Sequence, residues 1–268
     1  MSRIAQTFAS LREKQKKALI PYITPEYPVR GTTVPLTLEL EQRGADLIEI
    51  GVPFSDPLAD GPTIQHSSEI ALRNGVTLSR VLTLVGEVRN KSNIPVLLMG
   101  YLNPMLQYGV ERLMDDAQSA GVDGFIIPDL PPEESKNIIV CSRKNGLSNV
   151  FLIAPTSSDQ RIRLIDSLST DFSYCISVTG VTGARERLGR DSELKAFLNR
   201  VRKNSAKPFV VGFGISRSEH LGLVYEYADG AVVGSALIRS MESCTSVREA
   251  VESASRFFRQ LQNIPEGA

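Results

Sequence analysis

Three carboxylates fall within the twelve residues Glu49-Ile-Gly-Val-Pro-Phe-Ser-Asp-Pro-Leu-Ala-Asp60, which continue as Gly61-Pro-Thr-Ile-Gln65. Glu49 stands between Ile48 and Ile50 in an otherwise apolar run. Desolvating a charge there is costly, so the carboxylate needs a partner or a task. Asp56 and Asp60 follow on a segment stiffened by Pro53, Pro57 and Pro62. Two carboxyls held in different surroundings can divide acid and base roles, which points to proton transfer. An equally simple reading makes Glu49 a structural ion-pair residue and the aspartates turn formers.

Other chemistries find less support. His66 and His220 are the only histidines, neither with a second ligand at metal spacing, so no metal site is assigned. Ser55 and Ser235 lack a His/Asp arrangement, which argues against a serine hydrolase. The 30 basic and 30 acidic side chains cancel, and the pI is near 6.8. Neither nucleic acid nor an anionic membrane is implied as a partner. Three cysteines, Cys141, Cys175 and Cys244, show no metal spacing and fit a reducing cytoplasm. Apolar runs such as Pro95-Val-Leu-Leu-Met99 are too short to cross a bilayer.

The elements that must position the acids are legible in the apolar pattern. Eight short runs recur: Ala18–Ile23, Leu47–Val52, Val96–Gly100, Gly124–Ile127, Val150–Ala154, Ser173–Val178, Phe209–Gly212 and Gly230–Val233. They are continuous rather than alternating, as in parallel strands covered on both faces. Amphipathic segments separate them. Val110, Leu113, Met114 and Ala117 share one helical face, and Val247, Val251, Ala254 and Phe258 another. Gly44, Gly121 and Gly146 mark helix ends. Residues 1–17 are basic, but Ile4, Phe8 and Leu11 share a face, so this segment reads as a short helix of the fold rather than a transit peptide. The expectation is a (β/α)8 TIM barrel with a short additional N-terminal helix, one domain over residues 1–268. A doubly wound open sheet is the rival. The first strand leads into Thr24-Pro-Glu-Tyr-Pro28 rather than a G-x-G-x-x-G turn, which counts against it.

A barrel places function on the loops after its strands. The loops after the seventh and eighth runs hold Gly212, Gly214 and Gly234-Ser235. Glycines there either let backbone N–H groups approach a phosphate or simply turn the chain. Gly180-Val-Thr-Gly183 and the charged tail to Gly189 suit a closing lid, or an ordinary surface loop. Tyr101 and Tyr174 line a flat pocket or pack the core.

The long acidic motif, with Gly180–Ala184, Gly212–Ile215 and Gly234-Ser235, resembles the tryptophan synthase α subunit family from about Ile4 to about Leu261. The resemblance implies retro-aldol cleavage of indole-3-glycerol phosphate to indole and glyceraldehyde 3-phosphate, in the cytoplasm. It implies that Glu49 moves protons between the glycerol hydroxyl and indole C3, and that Asp60 accepts the indole N–H. Tyr174 falls near the substrate, and Gly183, Gly214, Gly234 and Ser235 at the phosphate. Tyr22, Ile64, Met99, Tyr101, Ile153 and Phe213 fall around the indole ring. The implied partner is a β subunit carrying pyridoxal phosphate, in an α2β2 complex facing Pro53–Asp60 and Asn103–Tyr108; this chain itself would hold no cofactor. A stand-alone lyase and a silent scaffold barrel are the alternatives, and Glu49 with Asp60 argues against the second. One departure stands out. The family's Thr-Ala-Gly-x-Pro after the first strand is here Thr24-Pro-Glu-Tyr-Pro28, and Glu26 is poorly suited to φ > 0, so an altered loop is expected.

Overall fold

A computed structural model describes residues 1–176, 187–212 and 214–263, with the backbone alone for residues 187–191. The strands are β1 (Ala18–Ile23), β2 (Ile48–Gly51), β3 (Val96–Met99), β4 (Gly124–Ile126), β5 (Ser148–Val150), β6 (Leu152–Ile153), β7 (Ser173–Ile176), β8 (Phe209–Gly212) and β9 (Gly230–Val233). All pair in parallel, in the order β5-β4-β3-β2-β1-β9-β8-β7-β6. The two ends of that order, β5 and β6, are successive pieces of one stretch of chain, so the sheet closes into a TIM barrel of eight strand positions.

The fifth strand departs from expectation. It begins at Ser148 and breaks at Phe151, rather than running from Val150 to Ala154. The physical reason lies in hydrogen bonding. The Phe151 N–H donates to Ser169 Oγ at 3.2 Å instead of continuing the β4 ladder, while its carbonyl accepts from Tyr174 N at 3.1 Å. The polar start of β5 is buried because its groups are satisfied: Ser148 Oγ donates to Asp171, and Asn149 bonds to Ser142 Oγ.

The N-terminal helix Arg3–Glu13 buries Ile4, Phe8 and Leu11, as its spacing predicts. Phe8 meets Phe172 with ring centroids 5.2 Å apart. Arg3 reaches Asp123 at 2.8 Å, which also receives Arg89 and the Val96 N–H. Phe172, Asp123 and Val96 all lie where strands begin, so this helix covers the N-terminal end of the barrel. Helices on the outer face, from Thr33–Gln42 round to Val247–Leu261, pack on outward strand residues such as Ile48, Ile50, Leu98, Phe125 and Val211. Gly44, Gly121 and Gly146 each close a helix with φ between +67° and +91°.

The first loop keeps a glycine-like geometry without a glycine. Glu26 has φ +55° and is 3% exposed. Its N–H donates to Thr33 Oγ1 at 2.7 Å, and its carbonyl accepts from Asn74 Nδ2 at 2.8 Å. Its carboxylate accepts from the Gly31 N–H and from Arg80 Nη2 at 3.0 Å. Left-handed backbone costs a non-glycine residue about 1 kcal/mol, and these contacts offset it. The carboxylate thereby ties the loop after β1 to the helix Leu78–Arg89. Glu26→Ala removes the contacts and keeps the strain, and is expected to destabilise by about 2–4 kcal/mol in urea unfolding. Glu26→Gly relieves the strain and should lose about 1 kcal/mol less. A Glu26→Gly chain more stable than the parent would show that the carboxylate contributes nothing.

Candidate active site

The strands place the acids at the C-terminal end of the barrel. In β2, Glu49 pairs with Tyr22 of β1 and Leu97 of β3, and its side chain points into the barrel. Gly51, two residues on, points the same way. A methyl group there would overlap the Tyr22 phenol oxygen, so the missing side chain is the space that the tyrosine fills. The same holds across the barrel, where a side chain at Gly212 would overlap the Tyr174 phenol. Two bulky phenols therefore fit inside because two strand-end glycines make room for them.

Between them lies a cavity of about 180 Å³. That is below the roughly 300 Å³ where drug-sized pockets begin, so it suits a small molecule. Its lining includes Tyr22, Glu49, Asp60, Ile64 and Met99. Tyr174, Gly212, Gly214, Gly234 and Ser235 also line it. Ile215, Val232, Ala236 and Arg239 complete it, none of them singled out by sequence reasoning. Of these, Val232 could have been found as the inward residue two before Gly234.

Glu49 is 1% exposed, and neither carboxylate oxygen has a hydrogen-bond partner among the described residues. Burial pushes its pKa up to about 8. The ion-pair reading therefore fails, and the carboxyl is mostly protonated at neutral pH. Burial also raises Asp60, against a hydrogen bond from Tyr101 that lowers it. Burial, with the neighbouring acids, holds the Tyr22 and Tyr174 phenols well above their ordinary range. Both phenols are neutral at neutral pH.

Other expected residues fall elsewhere. Tyr101 is not on the cavity lining; its hydroxyl accepts from Ala59 N at 2.9 Å, and its ring lies 5.4 Å from Phe54. It holds the acid loop. Ile153 is fully buried in β6 and is not on the cavity lining. Asp56 is exposed and bonded to Ser55, away from the cavity. Gly183, Phe213 and the lid stretch Gly180–Arg185 lie outside the described residues, as do the side chains of Glu186–Gly189. No group of three or more metal-ligating side chains, and no helix long and apolar enough to cross a membrane, occurs among the described residues.

The model of the tryptophan synthase alpha chain family matches residues 8–265. The chain belongs to that family. A tryptophan synthase alpha chain from Roseiflexus castenholzii is 50% identical over 263 residues, covering 98% of this chain and all of the relative. The solved structure of tryptophan synthase subunit alpha from Legionella pneumophila superposes with TM-score 0.90 at 36% identity, covering 98% of this chain and 97% of that one. A chain of the Pyrococcus furiosus tryptophan synthase complex gives TM-score 0.82 at 36% identity, over 91% and 97%. As an alpha chain of this family, the protein is a carbon–carbon lyase that cleaves indole-3-glycerol phosphate to indole and glyceraldehyde 3-phosphate in tryptophan biosynthesis.

Proposed function

We propose that Glu49 and Asp60 carry this cleavage, and that the observation bearing most weight is the buried Glu49 carboxyl, without a hydrogen-bond partner among the described residues, on the lining of the same cavity as Asp60. Glu49, protonated, gives its proton to indole C3. The ring becomes an iminium whose N–H is held by Asp60. The glycerol hydroxyl next to the ring then loses its proton to Glu49. The electron pair of that O–H bond forms the aldehyde C=O, the C–C bond breaks, and its electrons neutralise the iminium. Glu49 ends as it began, and indole and glyceraldehyde 3-phosphate leave. A carboxyl with a pKa near the working pH suits both transfers.

The glycine loops Gly214 and Gly234-Ser235, with Gly183, hold the phosphate and anchor the reacting bond. Among the described residues a Cβ at Gly214 would meet open space, and one at Gly234 would have Tyr22 as its nearest neighbour at 3.4 Å, which leaves room for an anion beside the backbone there. Tyr22, Ile64, Met99 and Tyr174 form the ring pocket, to which the family likeness adds Ile153 and Phe213, and Tyr101 holds the loop that carries Asp60. Residues 1–268 act as one catalytic domain in the cytoplasm. The chain itself uses no cofactor.

The partner is a tryptophan synthase β subunit carrying pyridoxal phosphate, in an α2β2 complex. The likeness to a chain of a tryptophan synthase complex supports this. So do two exposed leucines, Leu58 at 94% and Leu106 at 54%, one in each stretch expected to face it. Covering one leucine contributes about 1.5–3 kcal/mol, so Leu58→Asp should weaken association about tenfold or more by calorimetry. Unchanged affinity would move the interface elsewhere. Indole release from indole-3-glycerol phosphate, with and without β subunit, tests the reading. Release only with the partner supports the complex; full release alone favours a stand-alone lyase; none in either condition overturns the assignment of the cavity.

A further inference from the structure

Arg239 is the only lysine or arginine on the cavity lining among the described residues. It lies on the short helix Ser235–Ser240, one turn past Gly234 and Ser235. Its Nη1 donates to Thr63 Oγ1 at 3.2 Å. Thr63 stands three residues past Asp60, at the start of the helix Pro62–Arg73. The guanidinium therefore spans the mouth, from the glycine loops to the acid loop. Among the described residues it has no carboxylate partner, while the other ionisable acids of the cavity, Glu49 and Asp60, are negative when charged. A dianionic ligand entering here meets no other countercharge among the described residues of the lining. The threonine hydroxyl is a neutral acceptor, and a phosphate oxygen is a stronger one for a guanidinium.

We propose that Arg239 is a specificity-determining residue that recognises the anionic end of the substrate, a phosphate monoester, by exchanging Thr63 for a phosphate oxygen. This rests on the reading of the glycine loops as the phosphate site. It adds a mobile cation to a site of backbone amides, and it couples phosphate arrival to release of the helix that follows Asp60. The guanidinium is exposed, so its effect is screened by salt.

The test compares the full chain with Arg239→Gln and Thr63→Val, in indole release and in calorimetry with inorganic phosphate. Arg239→Gln should raise KM for indole-3-glycerol phosphate about tenfold, with the loss in KM rather than kcat, and should flatten the rise of KM with salt. Inorganic phosphate should bind about tenfold more weakly, while indole, which is uncharged, binds as before. Thr63→Val should leave KM and phosphate affinity at parental values, because the hydroxyl is only a resting partner. If both variants shift KM equally, Arg239 is a strut and the proposal fails. It fails also if Arg239→Gln leaves phosphate affinity unchanged. The phosphate titration reads Arg239 without turnover, so a parent chain that releases no indole either alone or with the β subunit overturns the functional reading separately.

Discussion

Glu49→Gln is expected to lower kcat for indole release by at least about 10²-fold, the lower range for a positioned acid–base group. Glutamine keeps the shape and removes the titrating proton. Among the described residues no other carboxyl is placed to substitute, since Asp60 is the only other carboxyl on the cavity lining and has its own task at the ring nitrogen. Fold and binding should persist, because no hydrogen bond depends on the Glu49 carboxylate. Near-normal turnover of the purified variant would remove Glu49 from its role.

The same change should alter stability in the opposite sense. The folded carboxyl titrates near 8 and the unfolded one near its ordinary 4.5. Between these values the folded state binds the extra proton, so raising the pH costs the parent stability at up to about 1.4 kcal/mol per pH unit. Glu49→Gln removes that slope. The variant should gain on the parent as the pH rises from 5 to 8, which is the stability cost of keeping an acid buried for function.

Gly234→Asp is expected to abolish binding of glycerol 3-phosphate in calorimetry. The nearest atoms to a Cβ at this position belong to Tyr22, at 3.4–3.6 Å, ordinary van der Waals contact, so the fold should accept a side chain. The carboxylate then lies on the cavity lining, where it repels an anion and blocks the backbone. Gly234→Ala separates the two effects: it adds bulk without charge and should bind weakly rather than not at all. Unchanged affinity in folded Gly234→Asp would place the anion elsewhere.

The barrel was legible because period and continuity of the apolar runs report parallel strands, and because each run precedes a helical stripe. The split at Phe151 was not, since it depends on a hydrogen bond from the Phe151 N–H to Ser169 Oγ, a residue brought near only when the barrel forms. Ser148 and Asn149 read as loop residues for the same reason; their partners Asp171 and Ser142 make them strand residues. Glu49 and Asp60 could be picked out by a charge among apolar residues and a rigid loop. Gly51 could not, because its reason is a phenol from the neighbouring strand. Glu26 is the converse case. Sequence rules disfavour it at φ > 0, and the structure retains it through Thr33, Asn74, Gly31 and Arg80. Arg239 gave no signal, since one exposed arginine on a helix looks like any other.

The central claim is that the cavity keeps Glu49 as a neutral acid at neutral pH. A carbon-13 NMR titration of the carboxyl, assigned by its loss in Glu49→Gln, measures this directly in the free chain. A midpoint near 8 is expected. A midpoint at or below the ordinary 4.5 would mean that the carboxylate is ionised and stabilised in place, and the proposed proton transfer to indole C3 would lose its acid.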